Sequence, residues 1–262
     1  MFEIRENPLN PSNPCSNPVM FDSETGKTKI FNMTYKTNVA SKLKQHFISL
    51  AGHLPPVPDG VTWLLPLQDL PETSRAFNFF LEKFYGDHLP RTLILGINPG
   101  RFGAGLTNVA FTDPVHLERD CGIANALPKR EELSAQFVYR VVHATGGPLE
   151  FYRRFFINSV VPFGFVKNGK NYNYYDEKPL EKAVEPLAVF HLKGLLQAGM
   201  DKGRCICLGE GQNFRFLSKL NEKENLFDSI VPLPHPRFIM QYRRTKLEDF
   251  VQKYLRVLNA AG

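Results

Sequence analysis

Short apolar segments alternate with helical segments along this 262-residue chain, and this alternation restricts the fold more than any other feature. Four segments are apolar over most of their length, at residues 91–100, 157–166, 202–211 and 229–236. Strands that are apolar on both faces are typical of a parallel sheet that helices cover on both sides. The sequence therefore predicts an α/β fold with three layers, α/β/α, and a mostly parallel central sheet.

The helices between these strands are predicted from apolar residues three or four positions apart and from capping and stop residues at the ends. Thr37 or Asn38 caps the first helix, acidic and hydroxyl residues cap the second, and Gly86 ends the second. The predicted helices cover residues 37–50, 72–86, 129–145, 149–156, 178–200, 211–222 and 243–259.

The first 33 residues differ from the rest because Asn-Pro steps recur in the segment ENPLNPSNPCSNP. Proline lacks the backbone donor and restricts the residue before it, so neither a helix nor a sheet ladder is expected there. Residues 20–31 fit either a small hairpin or part of a flexible arm. We predict an N-terminal arm over residues 1–33 and a single α/β domain over residues 34–262.

Charge and cysteine usage narrow the class of protein. The formal net charge of +6 and the pI near 9.1 fit either ordinary solubility or a polyanionic partner such as nucleic acid. Cys15, Cys121, Cys205 and Cys207 form no C-x-x-C pair, so we expect buried thiols in a reducing cytoplasm and no metal. No apolar run is long enough to span a bilayer, and the N-terminus lacks the pattern of a signal peptide.

Three of the predicted strands end on polar residues that could take part in binding or catalysis. Asn98 follows LILGI, Asn158 follows RFFI, and His235 follows VPLP between two prolines. In open parallel sheets ligands bind at the carboxyl ends of the strands, so these side chains mark a candidate site. Each also has a structural interpretation, since Asn-Pro-Gly is common in turns and a single histidine is more often structural.

Taken together, these motifs resemble those of the uracil-DNA glycosylase superfamily, most closely the single-strand-selective monofunctional enzymes and the bacterial branch related to them. The resemblance rests on GINPGRFG at residues 96–103, TNVAF at 107–111, Asn158 in INSVVPFGF, and HPRFIMQYRRTKLEDF at 235–250. It covers roughly residues 37–258 and implies a uracil-DNA glycosylase-like fold. The chain departs from the family pattern at a few positions around the pocket: Arg101, Asn108, Ala110 and Arg237.

The resemblance implies a role for each motif residue. Asn98 would hold the attacking water, and His235 would donate a hydrogen bond to uracil O2 as negative charge builds there. Asn158 would read the O4 and N3–H edge of uracil, and Phe111 would stack on the base. The base-binding residues implied by the resemblance are Gly96, Ile97, Phe111 and Asn158.

The segment after His235 interleaves apolar and cationic residues, which fits either a solvated helix start or a wedge that enters the base stack. We predict the wedge, with cations holding the phosphates, and add two positions of the first motif. The predicted DNA-binding residues are Gly100, Arg101, Arg237, Phe238, Ile239, Met240, Tyr242, Arg243, Arg244 and Lys246.

The sequence thus predicts a monomeric, cytoplasmic bacterial enzyme that flips uracil out of DNA and excises it. Whether it also accepts other deaminated bases stays open at this point. Neither GINPGRFG nor the HPR that begins the second motif contains a lysine for a Schiff base, so a monofunctional enzyme is expected. We also expect that the enzyme needs no cofactor. Two other classes stay open, namely a nucleic-acid-binding module of the same fold without catalysis and an enzyme that processes nucleosides or nucleotides.

Overall fold

The computed structural model describes residues 19–21, 28–30 and 37–260, and the chain divides into two units between Thr37 and Asn38. In the first unit, β1 (Val19–Phe21) and β2 (Thr28–Ile30) pair antiparallel, with Val19 opposite Ile30. This pairing agrees with the hairpin interpretation. The remainder of the predicted arm lies outside the described residues, and the boundary at residue 34 stays a prediction.

In the second unit, strands and helices alternate as predicted. The strands are β3 (Val61–Leu64), β4 (Arg91–Gly96), β5 (Phe155–Ser159), β6 (Gly164–Lys167), β7 (Lys170–Tyr172), β8 (Met200–Leu208) and β9 (Ser229–Leu233). The helices are α1 (Val39–Ser49), α2 (Pro66–Asp69), α3 (Pro71–Tyr85), α4 (Ala104–Thr107), α5 (Pro114–Arg119), α6 (Leu133–Ala144), α7 (Pro148–Arg154), α8 (Lys178–Ala198), α9 (Gln212–Glu224), α10 (Pro236–Tyr242) and α11 (Leu247–Asn259). Short 3-10 turns cover Leu50–His53 and Arg244–Lys246.

The central sheet has the strand order β5-β4-β8-β9, and all of its neighbouring strands are parallel. Every residue of β4 and of β5 is buried. Because side chains alternate between the faces of a strand, burial of every position requires that both faces are covered. The α/β prediction with a parallel central sheet is therefore confirmed.

The predicted strand at residues 157–166 was wrong, because the chain there contributes two strands to two different sheets. β5 ends at Ser159, and β6 joins an antiparallel sheet of order β3-β6-β7. Val161 N still donates to Ile97 O at 3.2 Å, but Pro162 has no N–H with which to continue the ladder. A Cβ on Gly164 would lie 2.3 Å from Pro99 O, so glycine allows the second sheet to approach the turn after β4.

Helix ends agree with the sequence in part. Asn38 caps α1 by accepting from Ser41 N at 2.9 Å, as predicted. α3 begins at Pro71 without a side-chain cap, so the predicted acidic and hydroxyl cap was wrong, although the helix does end before Gly86. α10 was missed because its seven residues lie between a proline and a charged run, and the sequence was interpreted there as a loop leading into the last helix.

The described cysteines Cys121, Cys205 and Cys207 are buried free thiols, in agreement with the sequence. Burial raises the pKa of Cys207 to about 12, so its reactive thiolate is disfavoured. Within residues 37–260 and the two short strands, no cluster of histidine, cysteine and acidic residues could hold a metal ion. The same residues include no helix that is long and apolar enough to cross a membrane.

Candidate functional site

A cleft of about 480 Å³ opens where β4, β5 and β9 end. The parallel sheet brings these carboxyl ends to one edge, which is where such folds place ligands. The residues of the cleft that bear on its chemistry are Ile97, Asn98, Phe111, Glu132, Ser159, His235, Arg237 and Phe238. Asn98 and His235, which are 137 positions apart in the sequence numbering, therefore face a common space.

Asn98 is held at the cleft by the segment that follows β7. Its Nδ2 donates to Tyr172 O at 3.1 Å, and its Oδ1 accepts from Tyr174 N at 3.1 Å. These bonds fix the orientation of the Asn98 amide, because its NH₂ group faces a carbonyl oxygen and its oxygen faces a backbone N–H. The Oδ1 keeps a second lone pair with which it can hold a water molecule.

His235 is the N-cap of α10, and this position determines its tautomer. Its Nδ1 accepts from Arg237 N at 3.1 Å, so in the neutral ring the proton is on Nε2. Burial, together with the nearby Arg237 charge, lowers the pKa of His235 to about 4. The imidazole is therefore neutral at physiological pH and carries an N–H donor on Nε2.

Phe111 forms the flat wall of the cleft, with its ring centroid 5.6 Å from that of His235. Its φ of 55° lies in the left-handed region, where a bulky residue is strained. The ring lies over Gly96, where an added Cβ would be 2.6 Å from the ring edge. Gly96 is thus needed because the aromatic ring occupies the space of a side chain.

We expect Gly96→Ala to destabilise the fold by about 1–3 kcal/mol, because the strained Phe111 backbone leaves the ring little room to move. Denaturant unfolding measures this change. The double variant Gly96→Ala/Phe111→Ala should lose less than the sum of the two single changes. Gly52→Ala is the matched control, since no atom lies within 4 Å of its added Cβ. Additive effects in the double variant would contradict the close approach of the ring to Gly96.

Asn108 departs from the family pattern, and the local backbone conformation explains why asparagine is tolerated there. Asn108 ends α4 with a φ of 57° and a ψ of 8°, in the left-handed region. Glycine adopts this conformation freely and asparagine tolerates it better than other residues do. The position therefore accepts asparagine without a change in the course of the chain.

Asn158 lies at the end of β5 beside the cleft residue Ser159, but it is 6 % exposed and does not itself line the cleft. Its Oδ1 accepts from Ser159 N at 2.8 Å and faces His191 Nε2 at 3.1 Å. His191 Nδ1 in turn lies 3.0 Å from His46 Nε2. Burial lowers the pKa of His191 far below its usual value, so its ring is neutral. Because the Asn158 atom that faces it is an oxygen and can only accept, His191 Nε2 carries the proton and donates.

The hydrogen bonds from Ser159 and His191 determine which group of the Asn158 amide is available to a ligand. With two donors on Oδ1, the free side of the amide is the Nδ2 donor. The predicted reading of both O4 and N3–H by Asn158 therefore needs correction to a donor alone. No pattern in the sequence pointed to His46 and His191, because they come from two helices that are far apart along the chain.

Glu132 is a cleft residue that the sequence analysis missed. It precedes α6, and its carboxylate covers the glycine turn after Asn98. A Cβ on Gly103 would lie 2.2 Å from one carboxylate oxygen of Glu132, and a Cβ on Gly100 would lie 2.7 Å from the other. The predicted contact of Gly100 with DNA is therefore not supported, since a carboxylate fills the adjacent space.

The predicted wedge needs a correction, because α10 divides its apolar residues between two faces. Ile239 and Met240 are 0 % and 5 % exposed, since their side of α10 packs against α6, and they cannot enter a base stack. Phe238 and Tyr242 are 42 % and 60 % exposed, and their ring centroids are 5.6 Å apart. These two residues are four positions apart and thus share one face of the helix.

One cation lies against this exposed aromatic face, and others are close to it in the sequence. The Arg243 guanidinium lies 5.2 Å from the centroid of the Phe238 ring. The side chains of four predicted DNA contacts are exposed at or near α10: Arg237, Arg243, Arg244 and Lys246.

Arg101 lies on the other side of the glycine turn, where its backbone N and its Nε donate to Asn171 Oδ1 at 3.1 and 3.2 Å. Its guanidinium is 4.8 Å from the centroid of Phe102, and that of Arg130 is 3.7 Å from the same centroid. Arg130 was not predicted. Its stacking on Phe102 brings a second guanidinium group to the same ring as that of Arg101, one of the predicted DNA contacts.

Comparison with known proteins agrees with this geometry. Residues 83–259 match the model of the uracil DNA glycosylase superfamily. The crystal structure of wild-type SMUG2 from Pedobacter heparinus is similar at a TM-score of 0.82 and 39% sequence identity, over 85% of this chain and 97% of that one. No curated protein sequence shows a significant match. The chain belongs to the uracil-DNA glycosylase superfamily.

Proposed function

We propose that this protein is a DNA glycosylase that excises uracil by hydrolysing the N-glycosidic bond and leaves an abasic site. The observation that carries the proposal is the convergence of Asn98, Phe111 and His235 on one cleft, with His235 held as a neutral donor. Membership of the superfamily and the likeness to SMUG2 support it.

The positions of His235, Phe111 and Asn98 suit the charges that develop during hydrolysis of the glycosidic bond. When the glycosidic bond breaks, negative charge develops on the base, and a preorganised neutral donor stabilises it without having to lose a proton. His235 Nε2 would serve as that donor, and the base would stack on the ring of Phe111, whose centroid is 5.6 Å from that of His235. Asn98 Oδ1 would hold the water that attacks the sugar.

Base choice would depend on the Nδ2 donor of Asn158, which a bound base would reach beside Ser159, the neighbouring residue that lines the cleft. The Nδ2 group can donate to a carbonyl such as uracil O4, whereas the amino group of cytosine offers only hydrogens at the same place. Hypoxanthine and xanthine also carry a carbonyl on the corresponding edge. We therefore propose that the enzyme selects for that carbonyl, which includes uracil and leaves other deaminated bases as candidate substrates.

A base within a duplex must leave the stack before it reaches this cleft. Phe238 and Tyr242 would fill the gap, and the cations at or near α10 would hold the phosphates. None of the described cleft residues is a lysine, so the proposal is a monofunctional enzyme. Action as a monomer in DNA repair in the bacterial cytoplasm is part of the same proposal.

The proposed phosphate contacts predict a salt effect. Replacing Arg243 and Arg244 by alanine should reduce the slope of log affinity against log salt by roughly 0.7 to 0.9 for each phosphate that is no longer bound. Fluorescence anisotropy with a labelled oligonucleotide at several salt concentrations measures the slope. Lys219→Ala/Lys223→Ala on α9 is the matched control, because it removes the same charge from a helix to which no phosphate contact is assigned. An equal reduction of the slope in both double variants would mean that α10 has no special contact with the phosphates.

The function itself is tested with a labelled oligonucleotide that contains one uracil. After incubation and treatment with alkali, strand cleavage at the uracil indicates a glycosylase. Retention of the oligonucleotide without cleavage would instead indicate a binding module. If the protein neither cleaves nor retains it, an enzyme acting on nucleosides or nucleotides becomes the better candidate.

A further inference from the structure

Glu132 is the one carboxylate among the described residues that line the cleft. Its position is rigidly set, because its backbone N donates to Asp113 Oδ2 at 2.8 Å. Asp113 is itself fully buried and also binds the backbone and the ring of His116. The backbone from which the Glu132 side chain extends is thus anchored to the start of α5.

The side chain of Glu132 extends from this anchor over the turn that carries Asn98. Its two carboxylate oxygens cover Gly100 and Gly103, so that a side chain at either glycine would displace the carboxylate. Gly100 is two positions after Asn98, and Asn171 of β7 borders it on the other side. The carboxylate therefore lies next to the turn that carries Asn98, the residue whose side chain would hold the attacking water.

The groups that face Glu132 place its ionisation close to neutral pH. Burial, reinforced by the negative charge of Asp113, raises the pKa of Glu132 to about 7. Arg237 on α10 and the backbone of Gly103 act in the opposite direction. The carboxyl group is thus protonated in acid and becomes a carboxylate as the pH rises through about 7.

The proposed reaction needs a proton acceptor, and neither Asn98 nor His235 can supply one. Hydrolysis of the glycosidic bond generates positive charge on the sugar and releases a proton from water. The Asn98 amide cannot accept that proton. His235 cannot either, because its Nδ1 is bound to Arg237 N and its Nε2 already carries a hydrogen.

We propose that Glu132 is a catalytic residue that, as a carboxylate, stabilises the cationic sugar and accepts the proton of the attacking water. The C1′–N bond breaks with its electron pair leaving on the base, water oxygen bonds to C1′, and the water proton passes to a Glu132 oxygen. This inference rests on the proposed function, and it adds a residue that lies outside the motifs.

The first test compares Glu132→Gln with Glu131→Gln in single-turnover excision of uracil over a range of pH. Glu131 is the matched control, because it is exposed, pairs with Arg119 and Gln136, and does not line the cleft. Removal of a proton acceptor should slow Glu132→Gln by about 100-fold or more. The wild-type rate should rise through about pH 7, and this rise should be lost in Glu132→Gln but kept in Glu131→Gln.

The second test does not depend on turnover. It compares binding of an oligonucleotide that carries a cationic pyrrolidine in place of the sugar with binding of its neutral tetrahydrofuran counterpart. At about pH 8 the wild type should prefer the cation by roughly 10-fold, and Glu132→Gln should lose this preference. Glu131→Gln should keep it.

The outcomes separate this inference from the proposed function. If the wild type releases no uracil, the proposed function fails, while the binding ratio still decides whether Glu132 recognises a cationic sugar. If the wild type releases uracil and Glu132→Gln keeps its rate, its pH profile and its binding ratio, Glu132 has no catalytic role. Tighter binding of all DNA by Glu132→Gln without slower excision would likewise overturn the proposal and indicate a carboxylate that only repels phosphate.

Discussion

Replacing Asn98 by alanine is expected to lower the single-turnover rate of uracil release by at least about 100-fold, while DNA binding stays close to that of the wild type. Asn98 follows the end of β4 and lines the cleft, and its Oδ1 accepts one hydrogen bond, from Tyr174 N, which leaves a lone pair for water. Loss of one positioned hydrogen-bonding group costs roughly 3–4 kcal/mol in the transition state. Rapid-quench measurement with enzyme in excess isolates this step from product release.

A control is needed because Asn98 also anchors the segment after β7. Asp176→Ala loosens the same segment by removing the bond from Asn173 N at 2.8 Å, yet Asp176 does not line the cleft. We expect Asp176→Ala to excise uracil at a rate within a few-fold of the wild type. If Asp176→Ala were as slow as Asn98→Ala, the effect of Asn98 would be structural and its role with water would be excluded.

Replacing His235 by alanine is expected to slow uracil release by about 100- to 1,000-fold, because the developing charge on the base loses its donor. Since the pKa of His235 is lowered to about 4, the donor is a neutral N–H. The wild-type rate should therefore not fall as the pH rises through about 6.5, as it would if the donor were an imidazolium. A pH–rate profile of single turnovers measures this directly.

His235 also caps α10, and a second substitution separates the two roles. Asparagine is a good N-cap, whereas alanine at such a position costs about 0.5–2 kcal/mol of stability. His235→Asn should thus unfold at nearly the same denaturant concentration as the wild type and yet excise uracil as slowly as His235→Ala. Near wild-type excision by His235→Asn would mean that the cap, and not the donor on Nε2, is what the reaction needs.

The sequence predicted the central sheet because its strands are apolar on both faces, and this pattern has few alternatives. It could not separate β5 from β6, since both are apolar and only the missing N–H of Pro162 interrupts the ladder between them. α10 was missed for a related reason. It is only seven residues long, and its start is set by the cap at His235 and by Pro236 rather than by periodicity.

For the candidate site, the sequence placed in one cleft those residues that belong to motifs at strand ends, namely Asn98, Phe111 and His235. It could not find Glu132, because a glutamate before a helix has no local signal, and its position over two glycines depends on the tertiary fold. It also could not assign the faces of the segment after His235. Ile239 is buried and its neighbour Phe238 is exposed. This difference can be predicted only if the segment is recognised as a helix, which presents adjacent residues on different faces.

Intact-mass spectrometry of the DNA product tests most directly whether the cleft catalyses hydrolysis of the glycosidic bond at uracil. An oligonucleotide with one uracil is incubated with the wild type or with Asn98→Ala, without alkali. We expect free uracil and a full-length strand that is lighter by one uracil and heavier by one water, formed by the wild type and nearly absent with Asn98→Ala. An unchanged strand mass with the wild type, or strands already broken before alkali is added, would contradict hydrolysis by this cleft.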